Sequence, residues 1–470
     1  MNEAAGKDKE RAGASVGYVE LLRSNRAFRQ LWLGQVVSQL GDWFDTIAVY
    51  TLVLRLTGSG RAVGLVLVAR FLPTVVMGPL SGVVADRFNR RTVMIVSDLL
   101  RAVVVLGFLF VRRPEHLWLL YALTVLQLAL STFFEPAKTA AIPSVVSARE
   151  LIPANAISSV TWSAMLTLGA AIGGALTGRF GTDAAFVLDS LTYLASAALI
   201  ARVRLPKRPA RPKTRLTVAK ALGVTDTLEG MRYVRTRPRV LSLMLVKPAW
   251  GLGGGILTLL AVFGERIFPV GGASATGIGV LYAARGIGTA FGPVVARYVA
   301  GETRRGMETA IGFAFLVGGV FYIAFGRTTS FAVALVCVAL AHMGGSILWM
   351  FSTTMLQQTV EEQFRGRVFA AELTMLTLTM AASNYVTGEL LDRFRWQPRT
   401  ATVALGILFL IPGLLWFAAR RWWDREHSPR TSMTTPSTSL EPDSRAPTHE
   451  TQAQAHATQT PGADIHLSGD

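Results

Sequence analysis

The chain predicts an all-α membrane protein of twelve transmembrane helices in two six-helix halves. Three observations carry that expectation. Of 470 residues, 51% are hydrophobic and 16% charged, with a mean hydropathy of +0.40, too apolar for an ordinary water-soluble core. Apolar runs of about twenty residues, the length at which a helix crosses a bilayer, recur along the whole chain. A Pro- and Arg-rich segment, LPKRPARPKTRL at 205–216, cannot cross a membrane and falls after the sixth run.

Residues 1–30 are polar and charged and contain no cleavable leader, so the first helix is expected to direct its own insertion. The runs at 31–55, 63–85, 92–112, 117–143, 152–178 and 184–203 make an N-terminal half, 31–203. A basic linker, 204–239, follows. In it Ala221, Val224, Leu228, Met231 and Val234 recur at helical spacing, predicting a helix along the membrane surface. The runs at 240–263, 275–300, 307–326, 330–357, 368–391 and 400–421 make a C-terminal half, 240–421. Residues 422–470 are rich in Ser, Thr, Pro and Gln and are expected to be a disordered tail; its four histidines, at 427, 449, 456 and 466, lack metal-ligand spacing.

The net charge of +17 is explained by topology. With the N-terminus inside, 32 of the 47 Lys and Arg fall in inner loops, 10 in or beside outer loops and five within spans. That asymmetry places both termini in the cytoplasm and the basic loops against anionic lipid. No aromatic-basic module points to nucleic acid. The single cysteine, Cys337, excludes an internal disulfide, and its place in a span predicts packing. Phosphate-loop, HExxH and CxxC patterns are missing from the sequence, which argues against an enzyme, a metal site or a bound cofactor and leaves an ion gradient as energy source.

Within the spans, polar residues form stripes. Gln35, Ser38, Gln39, Asp42, Asp45 and Thr46 share one face of the first, and Gln127, Ser131, Glu135 and Lys138 recur in the fourth. Two carboxylates at membrane depth must face protein or water, and intramembrane charge marks a pathway or proton relay. Asp42, Asp45 and Glu135 are the proton candidates; Arg70 and Lys247, with Gln39 and Gln127, complete a predicted cavity. Asp98 with Arg101, and Glu135 with Lys138, are spaced to pair, and Asp189 reads as structural, near the outer end. Gly169, Gly173, Gly174 and Gly178 form a ridge that lets helices approach closely.

Between the second and third spans lies GVVADRFNRR, a short loop whose turn suggests a left-handed Asn89. Gly82, Asp86, Arg87, Arg90 and Arg91 match in register the loop signature of the major facilitator superfamily, G-x-L-A-D-R-x-G-R-[RK], which this chain resembles. The stretches LGDWFDTIAVYTLVLRLTGS, LEGMRYVRTRPRVLSLML and LQQTVEEQFRGRVFA are similar to the branch of enterobactin exporters and macrolide-efflux proteins. The resemblance implies proton-coupled export of a small amphiphile by alternating access, with Asp86 and its arginines as a latch on the start of span 11. An uncoupled or importing carrier of a polar metabolite, and a membrane receptor that transports nothing, stay open beside it.

Overall fold

The computed structural model describes residues 17–147, 149–205, 224–301 and 303–426; the N-terminal 16 residues, most of the linker and the tail from 427 lie outside the described residues. Among the described residues the protein is helical throughout, with one isolated β-bridge, Val270 to Ala273. The first helix, α1 (Tyr18–Ser24), leads into α2 (Arg26–Thr57), α3 (Gly60–Arg87), α4 (Arg90–Leu106), α5 (Leu117–Val145), α6 (Leu151–Ala164) and α7 (Ala170–Ala201). A π-helical turn, Met165–Gly169, joins α6 to α7. After the linker come α8 (Val224–Arg235), α9 (Pro238–Gly251), α10 (Ile256–Arg266), α11 (Ser274–Ala300), α12 (Arg304–Arg327), α13 (Phe331–Thr359), α14 (Glu362–Asp392) and α15 (Pro398–Glu426).

Nine helical runs among the described residues are long and apolar enough to cross a membrane. The twelve sequence runs map onto them with three differences of physical origin. Residues 151–201 form one run of 51 residues, interrupted where Gly181 adopts φ 85° and ψ 171°. The helices α2 and α14, 32 and 31 residues long, are outside the nine; the polar stripe of α2 lowers its apolarity.

Local chemistry sets the helix ends. Asn25 caps α2 by accepting from the Phe28 amide, and Gly58, at φ 59°, closes it in the left-handed conformation that glycine adopts without steric cost. Asn89 is not left-handed: its φ is −65°, and its side chain caps α4 by accepting from the Arg91 and Thr92 amides. The turn needs no positive φ because a cap supplies the change of direction. Arg90 donates to the carbonyl of Ala140 near the end of α5, and Arg91 to that of Ala201, the last residue of α7, where helix carbonyls lack intrahelical partners. The side chain of Asp86 lies outside the described residues.

Helices before residue 205 pack on one another, as do those after 224. The two sets meet mainly through α3 against α14 and through α6–α7 against α11. Both crossings run on glycine. A Cβ at Gly64 would stand 2.6 Å from the Asn384 carbonyl, and one at Gly174 would stand 2.8 Å from both the Ala275 carbonyl and the Gly279 Cα. The α3–α14 pair is a wedge: the start of α3 is tight against the end of α14, whereas Gly78 and Gly82 near the end of α3, and Gly366 near the start of α14, have no atom within 4 Å of an added Cβ. The predicted surface helix exists as α8, but it docks on the start of α14: Tyr233 stacks on Phe364 at 4.2 Å and Glu229 pairs with Arg367 at 3.0 Å.

Candidate functional site: a buried carboxylate–arginine cluster

The polar stripe of α2 faces α3, α4, α5 and α7. Its spacing puts Asp42 and Asp45 on adjoining turns of one face, and each meets an arginine from a different helix. Arg70, on α3, donates to Thr46 Oγ1 at 2.9 Å and lies 3.6 Å from Asp45 Oδ2. Arg101, on α4, lies 3.6 Å from Asp42 Oδ1 and is paired with Asp98 one turn earlier. The Arg101 guanidinium is sandwiched between the rings of Phe134 and Tyr193, 5.0 and 4.3 Å from their centroids, so stacking as well as charge fixes it. Tyr193, on α7, donates to Asp42 Oδ1 at 2.5 Å and receives from Gln127 at 3.2 Å, while Ser196 donates to Asp98 at 2.7 Å.

Asp189 joins this group. Its carboxylate is fully buried, accepts at 3.2 Å from Thr192, and packs against Gly41, where a Cβ would collide with both side chains. It is close enough to Asp45 and Asp42 to interact with both. Four carboxylates thus gather about two guanidiniums. The Asp42 side chain is 36% exposed and that of Asp45 1%, so the cluster runs from an accessible acid to a sealed one. Asp45 Oδ1, Asp189 Oδ2 and the amide oxygens of Gln39 and Gln127 are buried without hydrogen-bond partners.

Other predicted residues stand apart from it. Glu135 pairs with Lys138 on its own helix at 2.7 Å, and among the described residues no ion pair joins it to Arg70 or Arg101. Lys247 pairs at 2.8 Å with Glu372 of α14, both buried, and lies over the Trp349 and Phe369 rings at 4.8 and 5.6 Å. The glycine ridge divides between two neighbours: Gly169 and Gly173 meet Trp43 and Phe44 of α2, while Gly174 and Gly178 meet α11. An apolar hollow between α4, α5 and the end of α3, walled by Val84, Phe88, Val93, Val96, Leu100 and Phe133, has none of the acids in its lining.

The sequence reading takes Asp189 as structural and does not single out Glu372 or Asp392. Asp392, at the end of α14, reaches the start of α3 in the other set of helices: it accepts from the Gly60 amide at 3.1 Å, the Arg61 amide at 2.9 Å and the Ser59 hydroxyl. Glu389, one turn earlier, pairs with Arg61 at 3.0 Å. A signal for it was present. GVVADRF at 82–88 and GELLDRF at 388–394 share G-x-x-x-D-R-F, and each ends one of the two antiparallel helices of the wedge.

Residues 21–447 match the profile of the transmembrane secretion effector family of the major facilitator superfamily. The chain belongs to that family. Among members of the superfamily, the uncharacterized MFS-type transporter YfiS of Bacillus subtilis (strain 168) is 30% identical over 226 residues, 48% of this chain and 53% of that protein. This chain spans about half the length of the first curated relatives that it matches. Macrolide efflux protein A of Streptococcus pyogenes is 22% identical across 82% of this chain and 95% of its own length. The enterobactin exporter EntS of Escherichia coli O6:K15:H31 (strain 536 / UPEC) is 27% identical across 74% and 82%. A bacterial homolog of the human lysosomal transporter Spinster, solved in an inward-facing, unoccupied conformation, superposes with a TM-score of 0.66 at 18% identity, covering 86% of this chain and 99% of that one, and so shares the fold.

Proposed function

We propose that this transporter-family protein exports a small amphiphilic compound, of the drug, macrolide or siderophore kind, against entering protons. In this reading twelve helices cross a bacterial inner membrane as two sets of six with both termini cytoplasmic, Gly181 dividing the fifth crossing from the sixth. The carboxylate cluster is the observation that carries the reading. Four acids around two arginines leave an excess of two negative charges if all are ionised, and at membrane depth uncompensated charge is costly. Proton uptake relieves that excess. Asp42, the accessible acid, receives the proton, and Asp45, sealed against Arg70, is the partner whose ion pair responds.

The wedge supplies the alternation. With the termini inside, the tight end faces out and the splayed end, bearing Asp86 and the start of α14, faces the cytoplasm. Asp392 holds the outer end by capping α3. Asp86, at the same place in the same motif, would cap the start of α14 when the inner end closes. Lys247, buried against Glu372 in the other set of helices, is the cation that serves the substrate.

The relatives named for macrolide efflux and enterobactin export support the direction of transport. The test is intracellular accumulation of dyes, macrolides and siderophores in a host lacking its own efflux pumps, comparing wild type with Asp45→Asn, each with and without a protonophore. The reading predicts lower accumulation only in energised wild-type cells. Energised exclusion that survives both Asp45→Asn and the protonophore would overturn proton coupling.

A further inference from the structure

Among the described residues five cations stand well inside the long helices and away from the break at Gly181: Arg70, Arg101, Lys138, Lys247 and Arg285. Four lie against a carboxylate, Arg70 with Asp45, Arg101 with Asp98, Lys138 with Glu135 and Lys247 with Glu372. Arg285 differs. Among the described residues no carboxylate lies within ion-pair distance of it; its Nε is buried with no hydrogen-bond partner, as are Arg70 Nη1 and Arg101 Nε, so the missing carboxylate is what sets it apart. The contrast with Arg70 is local: Arg70 stands ten residues after the first residue of α3 and is met by Asp45 from the preceding helix, whereas Arg285 stands eleven residues after the first residue of α11. The helices before α11 bring it no acid; α10 has only Glu265, in its last turn.

Its surroundings are aromatic and lie at the crossing of the two sets of helices. Gly286, the next residue, meets the backbone of Thr167 in the π turn, so Arg285 stands where the two sets of helices cross. π turns of this kind recur at functional sites. The guanidinium is 5.9 Å from the Tyr282 ring centroid. Tyr50, from the other set, interacts with both Arg70 and Arg285, and its ring lies 5.8 Å from that of Tyr282. Trp43 extends the aromatic wall, 6.0 Å from Tyr282.

A guanidinium without an anion at membrane depth is unfavourable, and its planar fork of donors matches the two oxygens of a carboxylate. We propose that Arg285 binds the carboxylate of an amphiphilic aromatic anion whose apolar body lies on Trp43, with the buried rings of Tyr50 and Tyr282 behind it. This names the substrate class for the export reading and rests on that reading. The anion completes the charge balance of α11 as Asp45 completes that of α3, and it does so at the crossing, where both sets of helices touch it.

The experiment is equilibrium binding of a matched pair of fluorescent dyes, 1-pyrenebutyric acid, an anion at neutral pH, and its neutral methyl ester, to the purified full chain in zwitterionic nanodiscs. The acid should bind about tenfold tighter than the ester. Arg285→Gln should bring the two within about twofold, and Arg285→Lys should keep a preference for the acid. Equal affinities in wild type, an acid preference that survives Arg285→Gln, or binding of neither dye would overturn the proposal. If Arg285→Gln does not fold, the wild-type pair and Arg285→Lys decide. Energised efflux without acid preference would remove this site and keep the export reading; acid-selective binding without energised efflux would do the reverse.

Discussion

At the scale of residues, the Asp45–Arg70 pair is the part of the cluster whose loss is easiest to interpret. Removing one member of a buried ion pair strands the other, at a cost of about 3–5 kcal/mol, whereas replacing both with neutral groups of similar size is often close to neutral. Asp45→Asn should therefore lower the unfolding temperature of the purified protein, and Asp45→Asn/Arg70→Gln should restore most of it while remaining inactive in efflux. Recovery of transport along with stability would make the pair structural. The stripe that contains Asp42 and Asp45 was legible in the sequence because one helix carries it at a fixed period. Asp189 was not, since its neighbours Gly41 and Asp45 lie some 140 residues away in the chain. Arg101 was legible only as a partner of Asp98, three residues distant; its reach to Asp42 and its seat between Phe134 and Tyr193 depend on how α4, α5 and α7 pack.

At the scale of elements, the crossings and helix ends set the conformation. A leucine at Gly174 has no room, because a Cβ alone would stand 2.8 Å from the α11 backbone, and overpacking of this kind costs about 1–3 kcal/mol or more. The end caps are more selective. Asp392 accepts three bonds at the start of α3, and a carboxylate there contributes about 0.3–1 kcal/mol through the helix dipole, more when partly buried. Asp392→Ala should loosen the tight end, and Asp86→Ala should favour the arrangement seen here. Labelling rates of single cysteines placed near Gly58 and near Phe88 in a Cys337→Ser background should shift in opposite senses in the two variants. The same sense in both would remove the reciprocal role. Helix positions followed from apolar periodicity, and the glycine ridge announced close approach, but its division between α2 and α11 depends on which helices stand on either side of α7. The expectation of a left-handed Asn89 failed because a side-chain cap and a positive φ both turn a chain, and the sequence favours either.

At the scale of the whole molecule, the account joins a titratable cluster in one set of helices to a wedge between the two sets. Fold class was legible because apolar run length, the basic linker and the loop signature all lead to one architecture. The wedge was not, since one sequence must support both closures and carries a G-x-x-x-D-R-F segment for each. The central claim is that protonation of the cluster moves the wedge. It is tested by electron–electron distances between spin labels in a Cys337→Ser background, one pair at Arg55 and Arg393 beside the tight end and one at Phe88 and Glu362 beside the splayed end. On acidification from about pH 8 to about pH 5, across the range in which perturbed carboxylates titrate, the two distances should change in opposite senses in wild type and stay fixed in Asp45→Asn. Distances that ignore pH in the wild type, or that shift identically in Asp45→Asn, would contradict the account.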